Sequence, residues 1–550
     1  MKTHAECHSE PARNLCNPSG KKFEIPRCAR NDKLLLGVLT LSLVVASAFA
    51  DDKFEQLLPD LYLLRDTCNA YLLRDGDRAV AIDFGSRDWT GELGSLGVKH
   101  LDYVLLTHHH RDQCEGLLSY TGNAELRAPT GEAAFLSPDG VKNYWKRRTA
   151  RPSGYPTSFS VLPHGLAGVQ CNLAEGSDLF WGKHRIRFLP TPGHSASALT
   201  VMVTWQGKNI FFCGDAVHTG GKVWQPFHLE WDHWTPTGAI QAWYGLQRLS
   251  YCQIDLLCPS HGPVVARGAG DCVKLAAERM MAFIRAKGSV CEGERDDYYP
   301  VEPLPGLNTR RVSPHLYQFS GNSFLLVSKS GEGLVVDPHK PSLPDLEALL
   351  PVAGVKRVSA SIASHFHYDH TDAYPAMKEK YGAEMWMHPW LADILGNSDK
   401  FDRPYLPAAP IKADRVLPET GEFTWNEYRF DIWPMPAQTR WHCAFMTTID
   451  GQRVFFSGDS YQSPSRWNGT GGFCAYNNSR FDAFRDSARL VLRVKPDLIA
   501  NGHQVIYRFH ASHYEKIVRW ADAAEKAVRD LCPSKDWTKD YYVQQKLEQP

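Results

Sequence analysis

The sequence predicts an α/β protein built from two units in tandem. Three observations carry that expectation. The chain has 550 residues, several times the roughly 150 of a typical domain. Short β-branched and aromatic runs alternate with stretches of helical periodicity, the pattern of layered sheets and helices. Finally, one ordered set of short motifs occurs twice, and a long internal repeat signals duplicated structure.

Four markers define the repeat. Leu61-Tyr62 opens LYLLRDTCNAYLLRDGDRAVAIDFG, and Leu316-Tyr317 opens LYQFSGNSFLLVSKSGEGLVVDPH. Both read as strands broken by a glycine-containing turn, which is hairpin chemistry, and both run into an aspartate, Asp83 or Asp337. Val104 to Thr107 leads into HHHRDQ, as Ser361 to Ser364 leads into HFHYDH. IFFCGD ending at Asp215 matches VFFSGD ending at Asp459, and LLCPSHG containing His261 matches LIANGHQ containing His503. The separations between partners stay between 242 and 257 residues, so each unit spans roughly 240 residues, an ordinary domain size.

The first unit is expected over residues 51–290 and the second over 312–550. A linker at 291–311 contains Pro303, Pro305 and Gly306. Helices are expected at Val273 to Ala286, where Leu275, Met280, Phe283 and Ile284 recur at helical spacing, and from His513 to Leu531.

Residues 1–50 are set apart from the fold. Leu34 to Ala50 is an apolar run that follows Arg27, Arg30 and Lys33 and ends in Ala48-Phe49-Ala50. This is the three-part pattern of a bacterial export signal cleaved after Ala50, and the run is slightly short for a membrane span. A periplasmic or secreted protein with no stable span after cleavage is expected. The 33 residues before the run are too long for a normal leader, and the stretch around Ile25 to Asp32 looks like translated intergenic sequence. The true start is therefore expected downstream of Met1.

Composition narrows the function. Lys plus Arg and Asp plus Glu number 61 each, so no broad basic field exists for nucleic acid, and none is expected as a partner. With 43% hydrophobic and 11% aromatic residues the chain is not of the disordered class. Eleven of its 14 cysteines follow residue 50. They form no CxxC and no regular framework, so most read as small buried residues, with Cys252 and Cys258 a weak disulfide pair.

The chemistry lies in histidine and aspartate. His365-Phe366-His367-Tyr368-Asp369-His370 directly follows a strand, where alternation places His365, His367 and Asp369 on one side. Three imidazoles and a carboxylate in six residues are costly to bury without a cation, and they are ligands for zinc and similar divalent metals. Asp459 and His503 each sit where an apolar strand meets a glycine turn.

These residues resemble the metallo-β-lactamase superfamily, whose signature is HxHxDH after a strand, a PGHT-like turn, a GD aspartate and a GH histidine. The resemblance covers nearly all of the chain after residue 50, twice. It implies a four-layer αββα sandwich in each unit, with one or two metals at the strand ends and a hydroxide between them as nucleophile. In the second unit it implies His365 and His367 at the first metal, Asp369, His370 and His503 at the second, and Asp459 bridging. Gln438 stands at the PGHT histidine. Either His442, four residues on, completes the first site, or that site is one ligand short.

In the first unit the resemblance implies a complete first site of His108, His110 and His194. The second site has Asp112, His261 and bridging Asp215, but Gln113 replaces its histidine and is expected to weaken or empty it unless its oxygen coordinates. The implied cofactor is zinc, one or two ions per unit, with iron or manganese as alternatives. The implied reaction is hydrolysis of an ester, thioester, lactone, lactam or phosphoester in a small-molecule substrate. Asp112 and Asp369 would orient the hydroxide or relay its proton. Two alternatives stand beside it: one or both units as metal-holding scaffolds, motivated by Gln113 and Gln438, and an iron-dependent thiol oxygenase. The aromatic stretches Trp224, Phe227, Trp231, His233 and Trp234, and Trp467, Phe473, Tyr476 and Asn477, are candidates to overhang the metals.

Overall fold

The computed structural model describes residues 54–149, 160–231, 235–287, 295–401, 403, 405–407, 409–464 and 480–534. The expected export segment, and His233, Trp234, Trp467, Phe473, Tyr476 and Asn477, lie outside the described residues. Among the described residues no helix is long and apolar enough to cross a membrane.

In the first half a seven-stranded sheet follows chain order through Phe54–Leu58, Leu61–Arg65, Asn69–Asp75, Arg78–Ile82, His100–Leu105, Glu125–Pro129 and Gln170–Leu173. The first four strands are antiparallel hairpins, and from Arg78–Ile82 onward the pairings are parallel. A five-stranded sheet runs in the order Leu256–Pro259, Lys208–Gly214, Leu199–Trp205, His184–Pro190, Asp178–Trp181. The second half repeats the plan with an eight-stranded sheet from Glu302–Pro303 to Arg415–Val416 and a six-stranded sheet from Gly421–Trp425 to Tyr507–Arg508.

Alternation decides which face each strand buries. Leu61, Leu63, Tyr71, Leu73, Val80 and Ile82 of the first sheet pack against Ile186, Phe188, Val201, Val203, Ile210 and Phe212 of the second, forming an inter-sheet core. Leu316, Phe324, Leu326, Leu334 and Val336 meet Phe430, Ile432, Phe445, Val454 and Phe456 in the same way. The outer faces are covered by helical segments, giving two αββα sandwiches.

The expected helix at Val273 to Ala286 is Ala269–Lys287, and that at His513 to Leu531 is Ala511–Leu531. These two, with Thr237–Ser250 and Phe481–Val494, share one apolar core in which Leu246, Met280 and Phe283 of the first half join Phe484, Trp520 and Val528 of the second. The Trp520 indole N–H donates to the Ala286 carbonyl, and Lys222 Nζ donates to the Cys532 carbonyl at 2.6 Å.

Two expectations are corrected. Glu302–Pro303 and Thr309–Ser313 are strands of the eight-stranded sheet, so part of the expected linker 291–311 belongs to the second sandwich. Cys252 and Cys258 are free thiols. Cys258 is buried within a strand, whereas Cys252 lies just past the helix Thr237–Ser250 with Sγ 3.6 Å from the Arg248 carbonyl.

Candidate metal centres

Parallel pairing gathers the distant motifs at one sheet end. Phe212 pairs with Cys258, after which a shift sets Gly214 opposite Pro259, so Asp215 and His261 emerge side by side. Phe456 and Ala500, then Gly458 and Asn501, repeat this ahead of Asp459 and His503. The glycine is a steric requirement. Gly214 has φ +55°, and a Cβ there would lie 2.9 Å from Thr107 Oγ1; at Gly458 (φ +50°) it would lie 2.3 Å from Ser364 Oγ.

In the first half His108, His110 and His194 are all buried, and one ring nitrogen of each lies within 4.8 Å of the others. Asp112, Asp215 and His261 form a second group by the same measure. Thr107 Oγ1 contacts His108 Nδ1 at 2.9 Å, which leaves Nε2 turned to the cluster without a hydrogen-bond partner. Asp215 lies between the groups: its Oδ2 is 3.3 Å from His194 Nε2 and 3.6 Å from His108 Nε2, while its Oδ1 is 2.7 Å from His261 Nδ1. The Gln113 amide donates weakly to Asp112 and Asp215, each at 3.3 Å, and its own buried oxygen has no hydrogen-bond partner.

In the second half the groups are His365, His370 and Asp459, and Asp369, His370 and His503. His503 Nε2 lies 3.1 Å from Asp369 Oδ2 and 3.3 Å from Asp459 Oδ2, and His370 Nε2 lies 3.2 Å from Asp459 Oδ1. His367 stands outside both groups; its ring is 4.5 Å from that of His365, and it lines a cavity of about 360 Å³ with Tyr368, Asp369, Tyr405, Asp459, Gln462 and His503. His442 is likewise in neither group. It makes a β-bridge with His365 and stacks on that ring at 5.0 Å and 20°, with Nε2 3.4 Å from Ser460 Oγ. A Cβ on Gly458 would lie 2.6 Å from His442 Nε2, so this ring borders the turn that carries Asp459. Gln438 donates to Asp459 Oδ2 at 3.1 Å.

Both halves match the family model described as the metallo-beta-lactamase superfamily, over residues 63–261 and again over 316–503. The chain belongs to the metallo-β-lactamase superfamily. No curated protein matches it. Solved structures similar to one sandwich include a B3 metallo-β-lactamase with an active-site glutamic acid, 20% identical, covering 43% of this chain and 91% of that one, with TM-score 0.33. A metallo-β-lactamase family protein from Thermus thermophilus is 21% identical over 43% and 85%, TM-score 0.32. The metallo-β-lactamase GOB-18 from Elizabethkingia meningoseptica is 17% identical over 43% and 97%, TM-score 0.31.

The donor chemistry fits a cation of the kind this family binds. Burial, with neighbouring imidazoles, holds His110 and His194 well below the usual histidine range, and burial lowers His108 despite Asp215, so all three keep free lone pairs. Beside them the carboxylates favour positive charge. Asp459, against the opposing effect of burial, pushes His503 up to about 10; at His261 burial is outweighed by Asp215 and Asp112, and the value again rises to about 10. Buried His365 Nε2 lacks a hydrogen-bond partner, as does His108 Nε2. Neutral imidazoles converging beside ionised carboxylates are what a divalent ion requires.

Sequence reasoning missed three neighbours of the two centres. His228 packs its ring 4.2 Å from His110 and 4.6 Å from His194; it stood within the aromatic stretch after Asp215 and was the available signal. Glu132, buried in the turn after Glu125–Pro129, carried no motif. In the second half Tyr405 came from a proline-containing loop without periodicity. Of the expected aromatics, Trp224 stacks on His261 at 4.3 Å and 10°, Trp231 Nε1 donates to Gly193 O at 2.8 Å, and Phe227 is core.

The two halves also differ beneath the candidate ligands. Asp337 lies 3.1 Å from His370 Nδ1, whereas at the equivalent Asp83 the histidine is replaced by Gln113. Burial pushes the Asp83 carboxyl up to about 7 despite bonds from the Thr107 N–H and the Ser260 and Thr107 hydroxyls. A folded pKa above the unfolded value gives stability present at pH below about 4 and lost as pH rises through about 7. In chelator-treated protein, the Tm of wild type should therefore fall relative to Asp83→Asn between pH 4 and 7. A constant difference across that range would refute the assignment.

Proposed function

We propose that the protein is a metal-dependent hydrolase whose second half carries the reaction and whose first half supports it. The observation that carries this reading is access. The about 360 Å³ cavity opens on Asp369, Asp459 and His503. The His503 side chain is 43% exposed, against 10% for its counterpart His261 beneath Trp224.

Asp369, His370 and His503 would hold one ion, with His365 and Asp459 beside it, His370 serving a single ion because its Nδ1 faces Asp337; in the first half His108, His110 and His194 would hold one. A divalent ion supplies Lewis acidity toward a carbonyl or phosphoryl oxygen and lowers the pKa of water from about 15.7 to near 7. The chain supplies the rest. Asp369, at the cavity wall and 3.1 Å from His503 Nε2, orients the attacking water and accepts its proton. Tyr368 and Tyr405 offer ring faces to the acyl or leaving portion of an ester, thioester, lactone, lactam or phosphoester.

The test is turnover of a panel of these five substrate classes by residues 51–550, stripped with chelator and reconstituted with zinc, manganese or iron. Metal-dependent turnover of at least one class is expected, and none with any metal would leave the scaffold reading. Stripping should also lower Tm. An ion at 100 times its Kd adds about 2.7 kcal/mol to the folded state, so an unchanged Tm would argue against metal at either centre.

A further inference from the structure

The middle histidine of HHHRDQ points away from the metal group. His109 stacks on Phe135 at 4.3 Å and 19°, and its Nδ1 bonds one oxygen of buried Glu132. The other Glu132 oxygen accepts from Ser195 Oγ at 2.6 Å and from the Ser197 N–H at 3.3 Å. His109 lies between His108 and His110, and Ser195 follows His194, so one carboxylate grips the immediate neighbours of all three imidazoles. The turn that bears it is pressed onto the histidine loop: a Cβ on Gly131 would lie 2.7 Å from Ser197 Cβ.

The second half joins the corresponding turns differently. Phe366, at the position of His109, packs edge-on to Trp441 at 5.8 Å, and Trp441 packs on Phe401 at 5.4 Å. An apolar contact holds turns together without directional bonds, whereas a buried carboxylate with three donors fixes their distance and orientation.

We propose that Glu132 is a positioning residue for the first centre, clasping the two turns that carry His108, His110 and His194 so that their nitrogens converge before metal arrives. This rests on reading those three as ligands, and the experiment separates the two claims. The full chain, stripped of metal, is titrated with cobalt(II) and followed by its visible absorption, with His110→Ala identifying the first-half signal.

Glu132→Ala should weaken cobalt binding at that signal by about 10–100-fold, the usual effect of removing groups that orient ligands, and should change its absorption envelope. Binding in the second half should stay at wild type. Glu132→Gln, which keeps an acceptor for Ser195, should recover part of the loss. Unchanged first-half affinity and spectrum, or equal weakening in both halves, would overturn the clasp. A wild-type titration unaffected by His110→Ala would overturn the ligand reading beneath it, and the clasp with it. If Glu132→Ala does not fold, Ser195→Ala removes one bond alone; a smaller first-half weakening supports the clasp, and wild-type binding overturns it.

Discussion

Asp459→Ala should reduce turnover of the best substrate by roughly 10³-fold or more, whereas His108→Ala should cost less than about tenfold. Asp459 belongs to the His365 group and lies 3.3 Å from His503, so its loss removes an anion in one second-half group that also faces a member of the other. Metal polarisation of a reacting oxygen contributes several kcal/mol to the transition state, and each 1.36 kcal/mol is tenfold in rate. His108 stands in the first-half group, whose His110 and His194 pack on His228 and whose neighbour His261 packs on Trp224, and its removal leaves the second-half cavity intact. Steady-state kinetics on both variants, with metal content measured, decides the matter. The opposite ranking would move catalysis to the first half, whose three imidazoles are themselves a common catalytic zinc set.

Trp520→Ala should lower unfolding free energy by about 3–5 kcal/mol, the range for emptying a large aromatic site in a core. It should do so in a single transition that includes both halves. Trp520 packs against Phe484 at 5.4 Å and Phe481 at 5.8 Å, and its N–H reaches across to the Ala286 carbonyl. Because the core around it draws on helices from both sandwiches, neither half keeps its helical layer dry alone. Calorimetry with separate tryptophan and far-ultraviolet probes tests this. Two independent transitions, only one of them shifted, would mean the sandwiches are linked without sharing stability.

Much of the site is legible in sequence because its pieces are local. HHHRDQ and HFHYDH place candidate ligands one to three residues apart, and the GD and GH motifs announce themselves by strand, glycine and polar residue. Both substitutions that break the pattern, Gln113 and Gln438, are visible in the chain, and both amides bond the shared aspartate. His442 shows where local reading stops. Four residues past the expected position, it is tied to the motif by a β-bridge to His365, a pairing that no local spacing announces. Glu132 shows the same from the other side, since no short-range pattern marks a carboxylate whose partners lie 23 and 63 residues away.

The sequence by itself determined the duplication, the layered α/β class and the identities of the ligand candidates, because strand periodicity and motif spacing act over a few residues. Only the tertiary structure decided which imidazoles converge, and that the two sandwiches share a helical core. Those outcomes depend on contacts between segments far apart in the chain, where a rotation of one ring or the seating of one helix alters the site without altering any motif.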